Sequence, residues 1–146
     1  MGYKTVVCGV TGSPGSEKAA LTAAEMARDH QARLVYVYAV DSSFMSGLTV
    51  ELRTEYAEQA LANLGRQILD DAGRAAQALG VNPAKVLRTG KVLEVILAVL
   101  EEEKADLLVI GDEGRTFVEK HLLGGRVADF AEELQARTGV KVLVVR

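Results

Sequence analysis

The strongest constraint on the fold of this chain is a regular alternation between short apolar runs and longer segments with helical periodicity. Each short run spans four to eight residues and is rich in valine, leucine or isoleucine. Runs of this length and composition are typical of strands buried on both faces. The five predicted strands are Thr5–Val10, Arg33–Val40, Lys85–Arg88, Ala105–Ile110 and Val140–Val145.

The segments between these runs carry apolar residues at every third or fourth position, as amphipathic helices do. The hydroxyl of Ser13 can cap the first helix, and Pro14, which follows it, suits the first helical turn. The alanines that follow give the first helix a small-residue face that can lie close to a sheet. The other predicted helices run from about Val50 to Leu79, through the stripe Val92–Leu100, and through Val127–Leu134.

Strands that alternate with helices imply an α/β domain, a doubly wound parallel sheet covered by helices on both faces. No linker or repeat interrupts residues 1–146, so one domain is expected. Ligands of such sheets bind beyond the carboxyl ends of the strands, where the strand order reverses. The sequence alone does not give that order. If the first and fourth strands are neighbours, the loops Thr11–Ser16 and Gly111–Gly125 meet at this crevice.

Composition excludes several classes of function. The net charge of −3 gives no sign of nucleic-acid binding. No long apolar segment indicates a membrane span, and a lone cysteine suits a reducing compartment, so a cytoplasmic protein is predicted. Cys8 lies within a predicted strand and is expected to be inert core. His30 ends the first helix, where a histidine usually caps carbonyl groups or faces solvent.

The loop after the fourth apolar run carries glycines in the pattern G-x2-G-x9-G, formed by Gly111, Gly114 and Gly124. Glycine allows backbone N–H groups to approach an anion closely, and a helix N-terminus adds unpaired donors with partial positive charge. The pattern therefore indicates a phosphate site. The alternative is that Gly111 and Gly114 only end a strand and form a turn, and that Gly124 and Gly125 only give a flexible entry to the next helix.

The glycine pattern resembles the phosphate-binding signature of the universal stress protein family. Val10-Thr-Gly-Ser13, Ala105-Asp-Leu-Leu-Val-Ile-Gly111 and Val142-Leu-Val-Val-Arg146 extend the resemblance over the chain. The resemblance implies the strand order 3-2-1-4-5 of the adenine nucleotide alpha hydrolase-like (Rossmann-like) fold. It also implies an adenine-nucleotide-binding module, active in stress response or signalling as a homodimer.

The resemblance also implies which residues surround the nucleotide, ATP or AMP with or without Mg²⁺. They are Thr11, Gly12, Ser13, Ala39, Val40, Gly90, Gly111, Gly114, Arg115, Gly124, Gly125, Arg126 and Val127. Two positions depart from the family pattern. Thr11 stands where nucleotide-binding members have Asp, and Gly125 stands where they usually have Ser or Thr. A dimeric interaction module that has lost the nucleotide is therefore the alternative function.

An enzymatic role has little support, because no nucleophile has a base at a recognisable spacing and no G-K-[ST] lysine is present. At most, slow ATP hydrolysis is expected. An alpha-hydrolase-type enzyme or a flavoprotein fragment is the third class of function. The resemblance places Val140–Val145 at the edge of the sheet. An exposed apolar edge invites pairing, so this strand is the predicted homodimer interface.

Overall fold

The computed structural model describes residues 2–41, 57–111 and 127–145. The strands are β1 (Thr5–Gly9), β2 (Arg33–Val40), β3 (Ala84–Thr89), β4 (Leu107–Gly111) and β5 (Lys141–Val145). The helices are α1 (Pro14–His30), α2 (Ala57–Ala78), α3 (Val92–Glu103) and α4 (Val127–Thr138). Strands and helices thus alternate along the chain, as predicted.

The strands form one parallel sheet in the order β3-β2-β1-β4-β5. The predicted order and the adjacency of the first and fourth strands are therefore confirmed. β1 is central, and its Val6, Val7 and Cys8 are completely buried. A strand that is covered on both faces has no position for a polar side chain, which explains its unbroken apolar run.

Helices cover both faces of the sheet. α1 and α2 pack against one core, which includes Tyr36 and Leu69, and α3 and α4 pack against the other, which includes Val99 and Leu134. The alanines of α1 that face the sheet are Ala19, Ala20, Ala23, Ala24 and Ala27, at 5% exposure or less. Their small side chains bring the helix so close that the hydroxyl of Tyr36 donates to the carbonyl of Ala20 at 2.8 Å.

The first residues of β1 are held by a carboxylate from the residue before β4. The Asp106 side chain accepts hydrogen bonds from the N–H of Lys4 at 2.9 Å and the N–H of Thr5 at 3.0 Å. The N–H of Asp106 in turn donates to the carbonyl of Thr5 at 3.1 Å. Asp106 therefore fixes the register between segments that are about a hundred residues apart in sequence.

Some boundaries and one side chain differ from the sequence prediction. β3 is one residue longer at each end than predicted, and the predicted start of the long helix near Val50 lies outside the described residues. His30 neither caps a carbonyl nor simply faces solvent. It is partly buried, its Nδ1 accepts the N–H of Tyr3 at 3.4 Å, and its ring lies edge-on to the Tyr3 ring at 5.2 Å. The N-terminal segment packs on the end of α1, which sequence periodicity could not reveal.

Two glycines of α2 differ sharply in what surrounds them. A Cβ on Gly65 would overlap the ring of Tyr38 and would lie 2.7 Å from Cδ1 of Leu87. A Cβ on Gly73 would meet only the flexible side chain of Lys85, with 2.7 Å to its Cε. Gly65 is therefore the point where α2 lies closest to β2 and β3.

These surroundings predict opposite effects for the same substitution. Alanine is favoured over glycine within a helix by about 1 kcal/mol, so Gly73→Ala should leave stability unchanged or raise it. Gly65→Ala should lower the free energy of unfolding, because overpacking a core costs about 1–3 kcal/mol. Urea denaturation of both variants measures the difference. Equal stabilities would show that α2 does not approach the sheet at Gly65.

Candidate functional site

The loop between β1 and α1 is closed by its own hydroxyl groups. The N–H of Thr11 donates to Oγ of Ser16 at 2.7 Å, and Oγ of Ser13 accepts the N–H of Ser16 at 3.2 Å. The hydroxyls of Thr11 and Ser13 lie 3.1 Å apart and share a hydrogen bond. Ser13 is the N-cap of α1 with Pro14 in the first turn, as the sequence predicted. The loop is thus a compact turn at the carboxyl end of the central strand.

Gly12 gives this loop a backbone conformation that other residues rarely adopt. Its φ is +87°, and a Cβ there would lie 2.7 Å from Cδ1 of Ile68 on α2. Glycine therefore both permits the positive φ and makes room for the isoleucine. As a result, α2 borders the crevice beyond β1.

The end of β4 comes into direct contact with the start of α1. A Cβ on Gly111 would lie 2.5 Å from the carbonyl oxygen of Gly15 and 2.9 Å from the nitrogen of Ser16. Backbone atoms cannot move aside as a side-chain tip can, so only glycine fits here. The predicted meeting of the two loops is confirmed at this point, where the glycine loop begins.

The ends of β2 and β3 line the other side of the same edge. The N–H of Gly90 donates to the carbonyl of Val40 at 3.0 Å, and Gly90 has a φ of +148° that favours glycine. Val40 is buried and Ala39 is partly buried. Asp41, the next residue, is only 5% exposed. A carboxyl group is therefore buried beside the crevice, a feature that the sequence prediction missed.

The structure brings together the predicted site residues that it describes. Thr11, Gly12, Ser13, Ala39, Val40, Gly90 and Gly111 all lie at the carboxyl ends of the strands or in the loops that follow them. Gly114, Arg115, Gly124, Gly125 and Arg126 lie outside the described residues. Val127 begins α4. The described half of the site is therefore the part formed by the ends of β1, β2, β3 and β4.

Sequence reasoning missed three residues that shape this region, Ser16, Asp41 and Ile68. Ser16 is 3% exposed, and its hydroxyl closes the first loop. The spacing from Ser13 to Ser16 is the usual capping distance and could have indicated it. A polar residue directly after a buried strand could have indicated Asp41. Nothing local in the sequence relates Ile68 to Gly12.

Two ionisable side chains within the central strands, Cys8 and Tyr36, are kept neutral by burial, which raises the pKa of each. Cys8 makes a further, smaller contribution to the raised pKa of the Tyr36 hydroxyl. The thiol is therefore unreactive at neutral pH, as expected for inert core. Among residues 2–41, 57–111 and 127–145, no cluster of His, Cys, Asp or Glu could hold a metal ion. Within the same residues, no helix combines the length and apolar content required to cross a bilayer.

Strand order, helix placement and the crevice between β1 and β4 define the class to which the chain belongs. It is a doubly wound α/β domain in which the strand order reverses between β1 and β4. The crevice beyond the ends of these strands is the usual position of a ligand site in this class. A model of the universal stress protein family matches residues 2–146. The chain belongs to the universal stress protein family.

Individual relatives agree with this assignment. A universal stress protein of Methanocaldococcus jannaschii is 32% identical over 144 residues, which cover 99% of this chain and 82% of the relative. The crystal structure of a universal stress protein in complex with cAMP is 26% identical, covers 100% of this chain and 99% of the other, and has a TM-score of 0.71. The universal stress protein of Archaeoglobus fulgidus in complex with dAMP is 19% identical, covers 100% of both chains, and has a TM-score of 0.67. The last comparison shows the shared fold alone.

The contact between Gly111 and the start of α1 predicts a difference between two glycines that end neighbouring strands. Gly111→Ala should destabilise the protein by about 1–3 kcal/mol, because its Cβ would overlap the backbone of Gly15. Gly9→Ala is the matched control, since its Cβ would make only ordinary contacts, 3.6 Å from Ile96 and 3.9 Å from Ile110. Thermal unfolding measures both. A Gly111→Ala variant as stable as Gly9→Ala would contradict the contact.

Proposed function

We propose that this protein binds an adenine nucleotide at the carboxyl edge of its sheet and acts as a stress-response or signalling module. The observation that carries the proposal is the contact of Gly111 with Gly15 and Ser16. It places the start of the glycine loop beside the capped N-terminus of α1, at the switch point between β1 and β4. The related universal stress protein in complex with cAMP supports the same class of ligand.

In this proposal the phosphates lie on backbone N–H groups of the glycine loop, at Gly114, Gly124, Gly125 and Arg126, before α4. Helix N-termini and glycine-rich turns favour anions because unpaired donors and the helix dipole act together. The nucleoside runs toward Thr11 and Ala39, between the ends of β1 and β2. The positive φ of Gly12 and its contact with Ile68 fix the position of the first loop, which lies next to the proposed path of the nucleoside.

A second candidate function follows from Thr11. Its hydroxyl already shares a hydrogen bond with Ser13, and it lacks the charge of the aspartate that the family resemblance expects. This observation favours a dimeric interaction module that keeps the fold without the nucleotide. The two candidates differ in one measurable property, the presence of a bound nucleotide.

The most direct experiment is mass spectrometry of small molecules released when purified protein is denatured. Release of stoichiometric ATP, AMP or cAMP is the expected result. Calorimetric titration of the refolded or nucleotide-free protein with each of these nucleotides, with and without Mg²⁺, then gives affinity and preference. A protein that releases none of them and binds none of them would overturn nucleotide binding and support the interaction module.

Restoring the family hydroxyl in the glycine loop should tighten nucleotide binding. Gly125→Ser should lower the Kd for ATP about tenfold, because a hydrogen bond to a charged group contributes about 1.5 kcal/mol or more. Ala75→Ser adds a hydroxyl to an exposed position of α2 and is the matched control. Calorimetry compares both variants with the original protein. If both variants lower the Kd for ATP equally, a hydroxyl at position 125 does not contact the phosphate.

We further propose that the protein is a homodimer through β5. Among the described strands, β5 pairs with β4 alone, and its Val142, Leu143 and Val144 are partly buried. The N–H of Val142 donates to the side chain of Gln135 at 2.9 Å. Gln135 therefore satisfies one donor of an edge strand whose remaining groups can pair with a second copy around a twofold axis.

Two substitutions should shift the dimer in opposite directions. Val142→Lys should weaken it, because it places a charge among apolar side chains at the interface. Gln135→Ala should strengthen it by freeing the Val142 N–H for pairing between strands. Arg137→Ala removes an exposed side chain nearby on α4 and serves as the control. Sedimentation equilibrium measures the three dissociation constants. A wild-type protein that is monomeric at micromolar concentration would contradict the proposal.

A further inference from the structure

The residue that follows β2 places a carboxyl group inside the carboxyl edge of the sheet. Asp41 is only 5% exposed, and among residues 2–41, 58–111 and 131–145 no other aspartate or glutamate is buried. Removing a carboxylate from water costs free energy that an uncharged side chain would not incur. In small-molecule sites a few polar groups in such positions fix the orientation of the ligand. Asp41 is therefore a candidate for direct contact with a ligand in the crevice.

The last residues of β2 border the crevice because β1 turns away before β2 ends. The N–H of Val10 donates to the carbonyl of Val37 at 2.9 Å, and the N–H of the next residue, Thr11, donates to the side chain of Ser16. β2 nevertheless continues to Val40 and stays paired with β3 up to that residue. The end of β2 thus has β3 on one edge and the crevice on the edge that β1 has left.

Side chains at the end of β2 alternate between the two faces of the sheet. Val40 belongs to the core that α1 and α2 cover, and Ala39 packs against the core that α3 and α4 cover. Continued by one residue, this alternation puts Asp41 on the same side as Ala39. Two residues of extended chain carry it about 7 Å further along the strand direction. The carboxyl group therefore follows Ala39 on the side of the sheet that α4 covers.

A carboxylate in this position discriminates between purine bases. In the proposed complex the base lies beside Ala39. Adenine carries an amino group with two N–H donors at position 6, whereas guanine and hypoxanthine carry an acceptor oxygen there. A carboxylate only accepts hydrogen bonds. It therefore attracts the amino group of adenine and repels the oxygen of the other two bases. It also repels phosphates, which favours their position at the glycine loop.

We propose that Asp41 selects adenine. Its carboxylate accepts one N–H of the adenine amino group, the backbone carbonyl of Ala39 accepts the other, and purines with an oxygen at that position are disfavoured. The proposal rests on the proposed nucleotide binding and adds base specificity to it. On the β1 side of the crevice, Thr11 offers a hydroxyl that is shared with Ser13 and carries no charge. Asp41 thus supplies a charge-assisted hydrogen bond from the β2 side.

The substitution Asp41→Asn gives a result that a loss of stability cannot imitate. Asparagine keeps the shape of the side chain, but its amide both accepts and donates hydrogen bonds. It can therefore bind the amino group of adenine or, through its N–H groups, the oxygen of hypoxanthine. The variant should bind ATP more weakly than the original protein does, and it should bind ITP, the hypoxanthine nucleotide, more tightly.

The experiment is calorimetric titration of the intact protein with ATP and ITP in the presence of Mg²⁺, and with AMP and IMP. The original protein should prefer the adenine member of each pair by at least about tenfold, the effect of one hydrogen bond to a charged group. Asp41→Asn should reduce that preference about tenfold. Asp29→Asn is the matched control, because it removes an exposed carboxylate from the last turn of α1, at the opposite end of the sheet. It should leave every Kd unchanged.

The possible results separate this inference from the proposed function. If the original protein binds both members of a pair equally, the base contact is wrong while nucleotide binding stands, and this comparison needs no variant. If Asp41→Asn weakens both members by the same factor, Asp41 supports the shape of the crevice and does not contact the base. If instead Asp41→Asn abolishes a preference for ATP over 2′-deoxy-ATP, the carboxylate contacts the ribose. Binding of none of these nucleotides would overturn nucleotide binding and this inference together.

Discussion

The complete burial of the three middle residues of β1 is the constraint on which the rest of this structure depends. A central strand with neighbours on both edges and helices on both faces can carry no polar side chain, and Val6, Val7 and Cys8 meet that requirement. The polar groups that the fold needs are therefore displaced to the strand ends. Thr11, Ser13 and Ser16 gather at the carboxyl end of β1, and Asp106 holds its amino end. These polar side chains consequently lie at the two ends of the central strand.

Close approach, more than side-chain chemistry, positions the described residues of the candidate site. Gly111 lets the end of β4 touch the backbone of α1, and Gly12 lets the first loop pass under Ile68. Gly65 brings α2 onto β2 and β3 in the same way. Each contact is set by the absence of a Cβ, so rigid packing between elements brings these strand ends and loops together.

Sequence periodicity was sufficient to place the helices and strands because each element carries its own signal. The valine-rich runs, the alanine face of α1 and the capping pair Ser13 and Pro14 are local features, and the structure confirms all of them. The strand order needed the family resemblance, since no local pattern states which strands are neighbours. Contacts between distant segments were not predictable from periodicity. His30 against Tyr3 and Gly12 against Ile68 arise only when elements pack.

The interaction of Asp106 with the start of β1 has a consequence for synthesis on the ribosome. Lys4, whose N–H donates to Asp106, precedes Asp106 by 102 residues. β4 must therefore leave the ribosome before β1 can pair with its second neighbour. At about 5–20 residues per second, the central strand of the sheet waits roughly 5–20 s with one edge open. During that interval β1 pairs with β2, and α1 and α3 can cover its two faces, but its pairing with β4 is a late event with high contact order. Chaperone dependence of this fold should therefore rise when translation slows between β2 and β4.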